Sequence, residues 1–565
     1  MSLHLETDVL IIGGGLAGCW AAVAAARAGA EVVLADKGYC GTSGVTATAG
    51  PNHWWVPPDP EKRAQAVRDR DARAFGLADP RWMARIIDTT WRVLPTLADY
   101  YRHSVTAGGV PHYQSLRGPE YLRALRRYAE TLGVRILDHS PALELLLHVD
   151  GSVAGARGLR RQGEGGDWTV RAAGVVVATG GCAFLSKLLG SRTNTGDGHL
   201  MAAEAGARLS GMEFSTYHTV AERHSTQTRS ASYAFADYFD ADGRQIDTGG
   251  SPDVTVPLAR ALLAGPVYAT LARMPADLRA ILPQIQPAIL LPFQRQGIDP
   301  FTQRFPITLH GEGTVRGTGG LRLVDDDCQT DVPGLYAAGD AATRELIAGA
   351  TSGGGAQNSA WAVSSGTWSG QAAARLARAQ GRRAHQGVEA AGGAGLRPDA
   401  GALKDAAALT RHLTDGVRAE MLPYDKILFR RGPVLAQSLA TLDSLWRDAR
   451  DRLAPGSDPT ARVRAREAAA LVACARWTTA TALARGETRG LHRREDAPSL
   501  SPDLAHRLLS GGLDTVWVRA DDPTQRSPAQ RSPTQRSPAQ RSPAQRSPAQ
   551  RSPAQRSPAQ RSNVA

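Results

Sequence analysis

The sequence predicts an α/β fold: a parallel sheet flanked by helices, an inserted α+β lobe, and a C-terminal helical domain. Three observations carry that expectation. A short apolar run at residues 8–12 passes through three glycines into an alanine-rich stretch at 16–28, and a second apolar run follows at 31–35. That is the strand, turn, helix, strand order of a βαβ unit. Two later apolar runs, 174–178 and 334–338, end in Thr179-Gly180-Gly181 and Gly339-Asp340, as buried parallel strands do where their carboxyl ends meet a crevice.

The remaining segments follow in order. Residues 1–214 and 310–377 read as two parts of one nucleotide-binding domain. Between them, 215–309 is rich in proline and polar residues and reads as an inserted α+β lobe. Residues 378–400, rich in Gly, Ala and Arg, read as a linker. From 401 to 519 spaced apolar residues predict helices, with Trp446 and Trp477 as core anchors. From 523 to 562 the unit P-[AT]-Q-R-S repeats eight times. A tail (520–565) with proline at every fifth position cannot bury enough surface to offset chain entropy and is expected to be disordered.

At 565 residues the chain is long enough for several lobes, and 42% hydrophobic content suits a globular protein. The net charge of +12 suggests nucleic acid until it is located: eight arginines lie in the repeat, leaving +4 for the rest. Arginines five residues apart in an extended chain stand roughly 15 Å from one another, beyond the Debye length, so they would bind a polyanion weakly and without sequence specificity. No apolar run is long enough to span a membrane, and the N-terminus lacks a secretory pattern, so a cytoplasmic location is expected. The five cysteines, Cys19, Cys40, Cys182, Cys328 and Cys474, form no C-x-x-C pair, which argues against a disulfide framework, an iron–sulfur cluster or another metal site within this chain.

Gly13-Gly14-Gly15-Leu16-Ala17-Gly18 fits G-x-G-x-x-G between strand and helix, the context that gives the motif meaning. Gly13 permits the tight turn, Gly15 lets a pyrophosphate approach the backbone, and Gly18 permits close helix packing. The helix start at Leu16 and Ala17 then supplies free N–H groups for the diphosphate. Asp36, with Lys37 after it, ends the second strand where a carboxylate accepts from ribose hydroxyls. FAD and NAD share this fingerprint. The choice of FAD comes from Asp340, at a strand end where a flavoprotein carboxylate holds a ribityl hydroxyl; helix capping is its alternative role. Gly353-Gly354-Gly355 then opens a helix at Ala356 and Gln357 whose N-terminus would face the flavin pyrimidine edge, unless the glycines are merely a connector. The first domain is therefore read as a Rossmann-like FAD-binding domain.

These motifs resemble the flavoprotein family of fumarate reductase, succinate dehydrogenase, L-aspartate oxidase and adenylylsulfate reductase. The resemblance rests on GGGLAG, SGVTATAG at 43–50, ATGG at 178–181, NTGDGHLMAAEAGARLSGMEF at 194–214, GTGGLRLV, GLYAAGD, SGGG, and ETRGLHRRED at 487–496. It implies that the loop at Thr42, Ser43, Thr48, Ala49 and Gly50, the strand end at Ala178, Thr179 and Gly180, and Asp197 of TGDG contact FAD, and that 215–309 is a mobile cap. Members with covalent flavin carry a histidine after the loop serine; Gly44 stands here, which implies non-covalent FAD. The dicarboxylate enzymes carry an arginine where this chain has Thr351-Ser352-Gly353 and a histidine near Val315, so fumarate and succinate are disfavoured. Their imidazole over the substrate has a counterpart in His218.

The candidates for chemistry are His218, as acid, base or hydrogen-bond donor, or as a structural group at the cap hinge; Arg316, facing an anionic substrate or paired with Glu312; and His310 and Glu312, which a polar turn could hold without chemistry. Arg344 is a further candidate, with a surface position at a helix start as its alternative. Together they imply an FAD-dependent oxidoreductase acting on a small anionic molecule by hydride or electron transfer at flavin N5. The alternative is a flavin-binding electron-transfer subunit serving an iron–sulfur or ferredoxin-like partner.

Overall fold

The computed structural model describes residues 2–105, 109–162, 165–228, 231–249, 254–285, 287–381, 387–397 and 405–521. The repeat lies outside the described residues, as do 382–386 and 398–404.

The central sheet contains β1 (Leu3–Ile12), β2 (Val32–Ala35), β3 (Arg135–Leu137), β4 (Ala142–His148), β5 (Val153–Leu159) and β6 (Asp167–Val177). β1 lies between β2 and β6, and β3 continues beyond β2, all parallel. β6 is long enough to serve two partners on its other edge. Its first half pairs antiparallel with β5, and its last three residues pair parallel with Leu335–Ala337. The sequence expectation of three strand ends in one place is met: Ala178 N–H donates to Ile12 O (2.8 Å), and Ala338 N–H to Val177 O (2.9 Å). Burial on both faces suits the valine and isoleucine runs of β1 and β6.

Two helices cross at backbone contact beside this sheet. The helix Leu16–Arg27 packs on Gly354–Gln380, where a Cβ on Gly366 would sit 2.3 Å from Ala17 O and one on Gly370 2.2 Å from Ala21 O. Small residues on both sides let the axes approach. The long helix also grips the turn after Leu335–Ala337: Trp361 Nε1 donates to Gly339 O (3.0 Å) and Gly339 N–H to Ser365 Oγ (3.0 Å).

The inserted lobe contains a four-stranded sheet with Tyr217–Glu222 antiparallel to Phe305–Gly313, continued by Tyr268–Thr270 and Asp237–Phe239. The strand beginning at Phe305 runs through residue 309 into the following segment, so one strand carries the chain from that lobe to the nucleotide-binding domain.

Two readings of the later chain need correction. Within 378–400, residues to Gln380 finish the long helix, and Val388–Ala390 pairs antiparallel with β4, adding an edge strand to the central sheet. The segment 401–519 contains the expected helices, among them Ala406–Met421, Gly432–Asp451 and Pro459–Ala484, with Trp446 and Trp477 buried. It also contains the strands Leu508–Gly511 and Trp517–Ala520, which join Leu209–Ser210 and Gly320–Leu321 in a second small sheet. Asp521, assigned to the tail, pairs with buried Arg322 (3.0 Å). No helix among the described residues is long and apolar enough to cross a membrane.

Candidate active site

A cleft of about 660 Å³ opens along the carboxyl ends of β1, β6 and Leu335–Ala337. Glycine shapes one wall. Gly13 has φ +108°, and a Cβ there would lie 2.4 Å from Ala178 O; one on Gly18 would lie 1.7 Å from Gly13 O. A Cβ on Gly15 would meet nothing within 4 Å, so this backbone is free to touch a ligand, as the sequence reading required. Gly13, Gly15, Leu16 and Ala17 line the cleft, whereas Gly18 packs behind it. The helix starting at Leu16 has no side-chain cap and no acid in its first turn, so its N–H groups remain available for phosphate oxygens.

Asp36 and Lys37 also line the cleft. Asp36 accepts from Gly14 N–H (2.5 Å) and Gly38 N–H (2.6 Å), while burial pushes its carboxyl up against those bonds. Lys37 bridges Asp197 and Glu467, both at 2.6 Å, and Thr195 Oγ1 donates to Asp197 (2.7 Å). Both residues of that first pair face the cleft with their charges already matched. Of the loop residues, Ser43, Thr48, Ala49 and Gly50 line the cleft, as do Ala178, Thr179 and Gly180. Thr42 instead closes a turn onto Tyr39 O.

At the other strand end, Asp340 lines the cleft and is paired with Arg344. Arg344 is buried, contrary to the surface position given as its alternative. The helix Gly354–Gln380 presents Gly355, Asn358, Ser359 and Ala362 to the cleft; Ala356 and Gln357 do not line it. Asn358, missed in the sequence reading, has both side-chain amide atoms buried without a protein partner, which suits a ligand with alternating donors and acceptors. Its only signal was its place in the first turn of a glycine-opened helix. An uncapped helix start, an open glycine face and unsatisfied polar atoms together fit a flavin dinucleotide.

Of the residues considered for chemistry, only Arg316 lines the cleft among those described. It stands 3.6 Å from Glu312 and over the Tyr217 ring at 5.3 Å. Glu312 is fully buried and accepts from Thr219 Oγ1 (2.8 Å). His310 bonds Ser225 O through Nε2 (3.0 Å) on the cap side. His218 is enclosed between the cap strands and Tyr424, with Nδ1 3.0 Å from Thr216 O. Burial lowers its pKa to about 4, with Arg493 and Arg430 adding to the effect, so the ring is neutral at pH 7. Gln227, Thr228 and Ile289 of the inserted lobe also line the cleft. No motif marks these three, because their placement depends on how that lobe docks.

Arg70 is a further residue outside every motif. It donates to Ala348 O (3.1 Å), Thr351 Oγ1 (3.0 Å) and Ser352 O (3.2 Å). It thus supports from the side the loop Thr351–Ser352 that precedes the long helix.

Comparison with known proteins agrees with this geometry. The family model "FAD binding domain" matches residues 8–100 and 53–357, and "Fumarate reductase flavoprotein C-term" matches 420–537. L-aspartate oxidase of Mycobacterium tuberculosis is 28% identical over 560 residues, covering 90% of this chain and 95% of its own. A fumarate reductase (CoM/CoB) chain of Methanothermobacter marburgensis is 24% identical over 548 residues, with 89% and 97% covered. Quinol fumarate reductase FrdA of E. coli superposes with a TM-score of 0.78 at 21% identity over 92% of this chain and 97% of that one. Adenylylsulfate reductase of Archaeoglobus fulgidus gives 0.71 at 19% over 92% and 96%. The chain belongs to the FAD binding domain family, with the C-terminal domain of the fumarate reductase flavoproteins and FAD as its cofactor.

Proposed function

We propose that this FAD-dependent oxidoreductase acts on a small molecule carrying one anionic group, exchanging a hydride or electrons with it at flavin N5. When bound, FAD supplies that redox step, and the protein's task is to bind, orient and exclude water. The observation that carries the reading is the charge inventory of the cleft. Its described cations are Lys37, Arg117 and Arg316. Lys37 is matched by Asp197 and Glu467, and exposed Arg117 stands 3.5 Å from Glu120. Arg316, 17% exposed, meets buried Glu312 at 3.6 Å, beyond hydrogen-bond distance, and so keeps its donors for a substrate anion. Glu312 is its counter-ion when no substrate is bound, and a guanidinium can exchange one carboxylate for another.

A dicarboxylate is disfavoured. Val315 lines the cleft where the resemblance puts a histidine, and Thr351-Ser352-Gly353 replaces the loop arginine. Leu189, Ile289 and Val315 instead supply apolar walls, which suits a monoanion with an apolar body. His218, neutral and held by the Thr216 carbonyl, is assigned to cap structure rather than to proton transfer.

Anaerobic titration of the purified flavoprotein with a panel of monocarboxylates and dicarboxylates, followed by flavin bleaching, tests the reading. A monocarboxylate should reduce the flavin, and Arg316→Gln should weaken its binding by about 10- to 100-fold, the loss of one charged hydrogen bond. A dicarboxylate as the preferred reductant, or an unchanged affinity in the variant, contradicts it.

A further inference from the structure

Arg344 precedes the short helix Glu345–Ala348 with 1% of its surface exposed. A guanidinium so buried is costly unless acceptors surround it. Here Nη1 meets Asp340, while Nη2 donates to Thr314 O (2.7 Å), Val315 O (3.0 Å) and Gly317 O. The Arg344 N–H adds a bond to Thr318 O (2.8 Å). Three carbonyls of one turn therefore point at one cation, and that cation also holds a carboxylate at the end of a different strand. The turn delivers Val315 and Arg316 to the cleft, and Asp340 lines the same cleft. The parallel sheet does not itself require this connection. The turn follows the last cap strand, Phe305–Gly313, whereas Asp340 follows Leu335–Ala337.

We propose that Arg344 is a positioning residue: it locks the turn carrying Arg316 to Asp340, so that the substrate-facing cation and the cofactor-facing carboxylate enter the cleft as one rigid unit. The inference rests on the reading that Arg316 faces the reacting region of the cleft. A planar fork suits the task because it serves a carboxylate on one arm and a cluster of carbonyls on the other; an ammonium is a single point with a shorter reach. Burial pushes the Arg344 pKa down and Asp340 pulls it back up.

The test is the midpoint potential of the bound FAD, measured by dye equilibration in the holoprotein, with FAD content per chain recorded for each variant. A cation near the flavin favours its reduced, more negative form. Arg316→Gln should therefore lower the potential. Arg344→Gln should lower it in the same direction by releasing the turn, and in the double variant the two shifts should fall short of their sum. Arg344→Lys should retain FAD and still show a lowered potential, and it carries the test if the glutamine variant does not fold. A lowered potential in Arg316→Gln with wild-type potentials in both Arg344 variants overturns the clamp and leaves the proposed role of Arg316 standing. An unchanged potential in Arg316→Gln overturns that role and the clamp with it. Fully additive shifts also overturn the clamp, since two independent residues would produce them.

Discussion

Glu345 shows how one buried group makes stability depend on pH. Its carboxyl is fully buried, accepts from Ser210 and lies near Glu213, and Oε1 has no hydrogen-bond partner. Burial first, and Glu213 second, raise its pKa from 4.5 to about 7. The folded state therefore binds more protons than the unfolded one between those values. Stability from this group falls as pH rises through that window, and the cost is constant above it. Glu345→Gln should match wild type near pH 4.5 and exceed it at pH 8 by up to about 3 kcal/mol. Melting temperatures of the two proteins at both pH values check this; an equal difference at both would contradict it. At this scale the glycine motif was legible, because Gly13, Gly15 and Gly18 are required by local backbone geometry. The burial of Arg344 was not, because its acceptors come from residues 314–317 and 340, which only the folded chain assembles.

Among elements, the helix Pro459–Ala484 shows how the C-terminal domain is fastened to the rest. Arg466 and Glu204, 2% and 3% exposed, form a buried pair. Arg466 also donates to Leu143 O (2.8 Å) and Ala394 O (2.7 Å). One side chain thus joins β4, the helix Asp197–Glu204 and the segment after the edge strand. Arg466→Ala should cost about 3–5 kcal/mol by leaving Glu204 uncompensated, whereas a double Met replacement of the pair should cost far less. Urea unfolding of the three proteins measures both, and equal losses would contradict the pairing argument. Long elements with clear periodicity were legible from sequence, as the helices and the Rossmann strands show. The strands Val388–Ala390, Leu508–Gly511 and Trp517–Ala520 were not. Each has only three or four residues, and each is stabilised by distant partners rather than by its own pattern.

For the whole molecule, the C-terminal boundary decides what can be removed. Ala520 ends a strand, and Asp521 holds Arg322 while its N–H donates to Arg507 O (2.9 Å). A chain ending at Asp521 should keep full FAD content and the wild-type melting temperature, since the repeat has almost no apolar residues to bury. One ending at Arg519 should lose about 2 kcal/mol, the worth of one charged hydrogen bond in a partly rescued site. Thermal melts of both chains check this, and equal melting temperatures would contradict it. The nucleotide half of the cleft was legible in the sequence because its motifs are contiguous. The cap half, with Gln227, Thr228 and Ile289, depends on how two lobes close and carries no motif.

The central claim is that one FAD lies in the cleft, held without a covalent bond. Acid precipitation of the purified protein, with flavin quantified in supernatant and pellet, tests it most directly. The account predicts one FAD per chain, all of it in the supernatant over a colourless pellet. A yellow pellet would contradict non-covalent attachment, and a colourless protein that takes up no added FAD would contradict the claim as a whole.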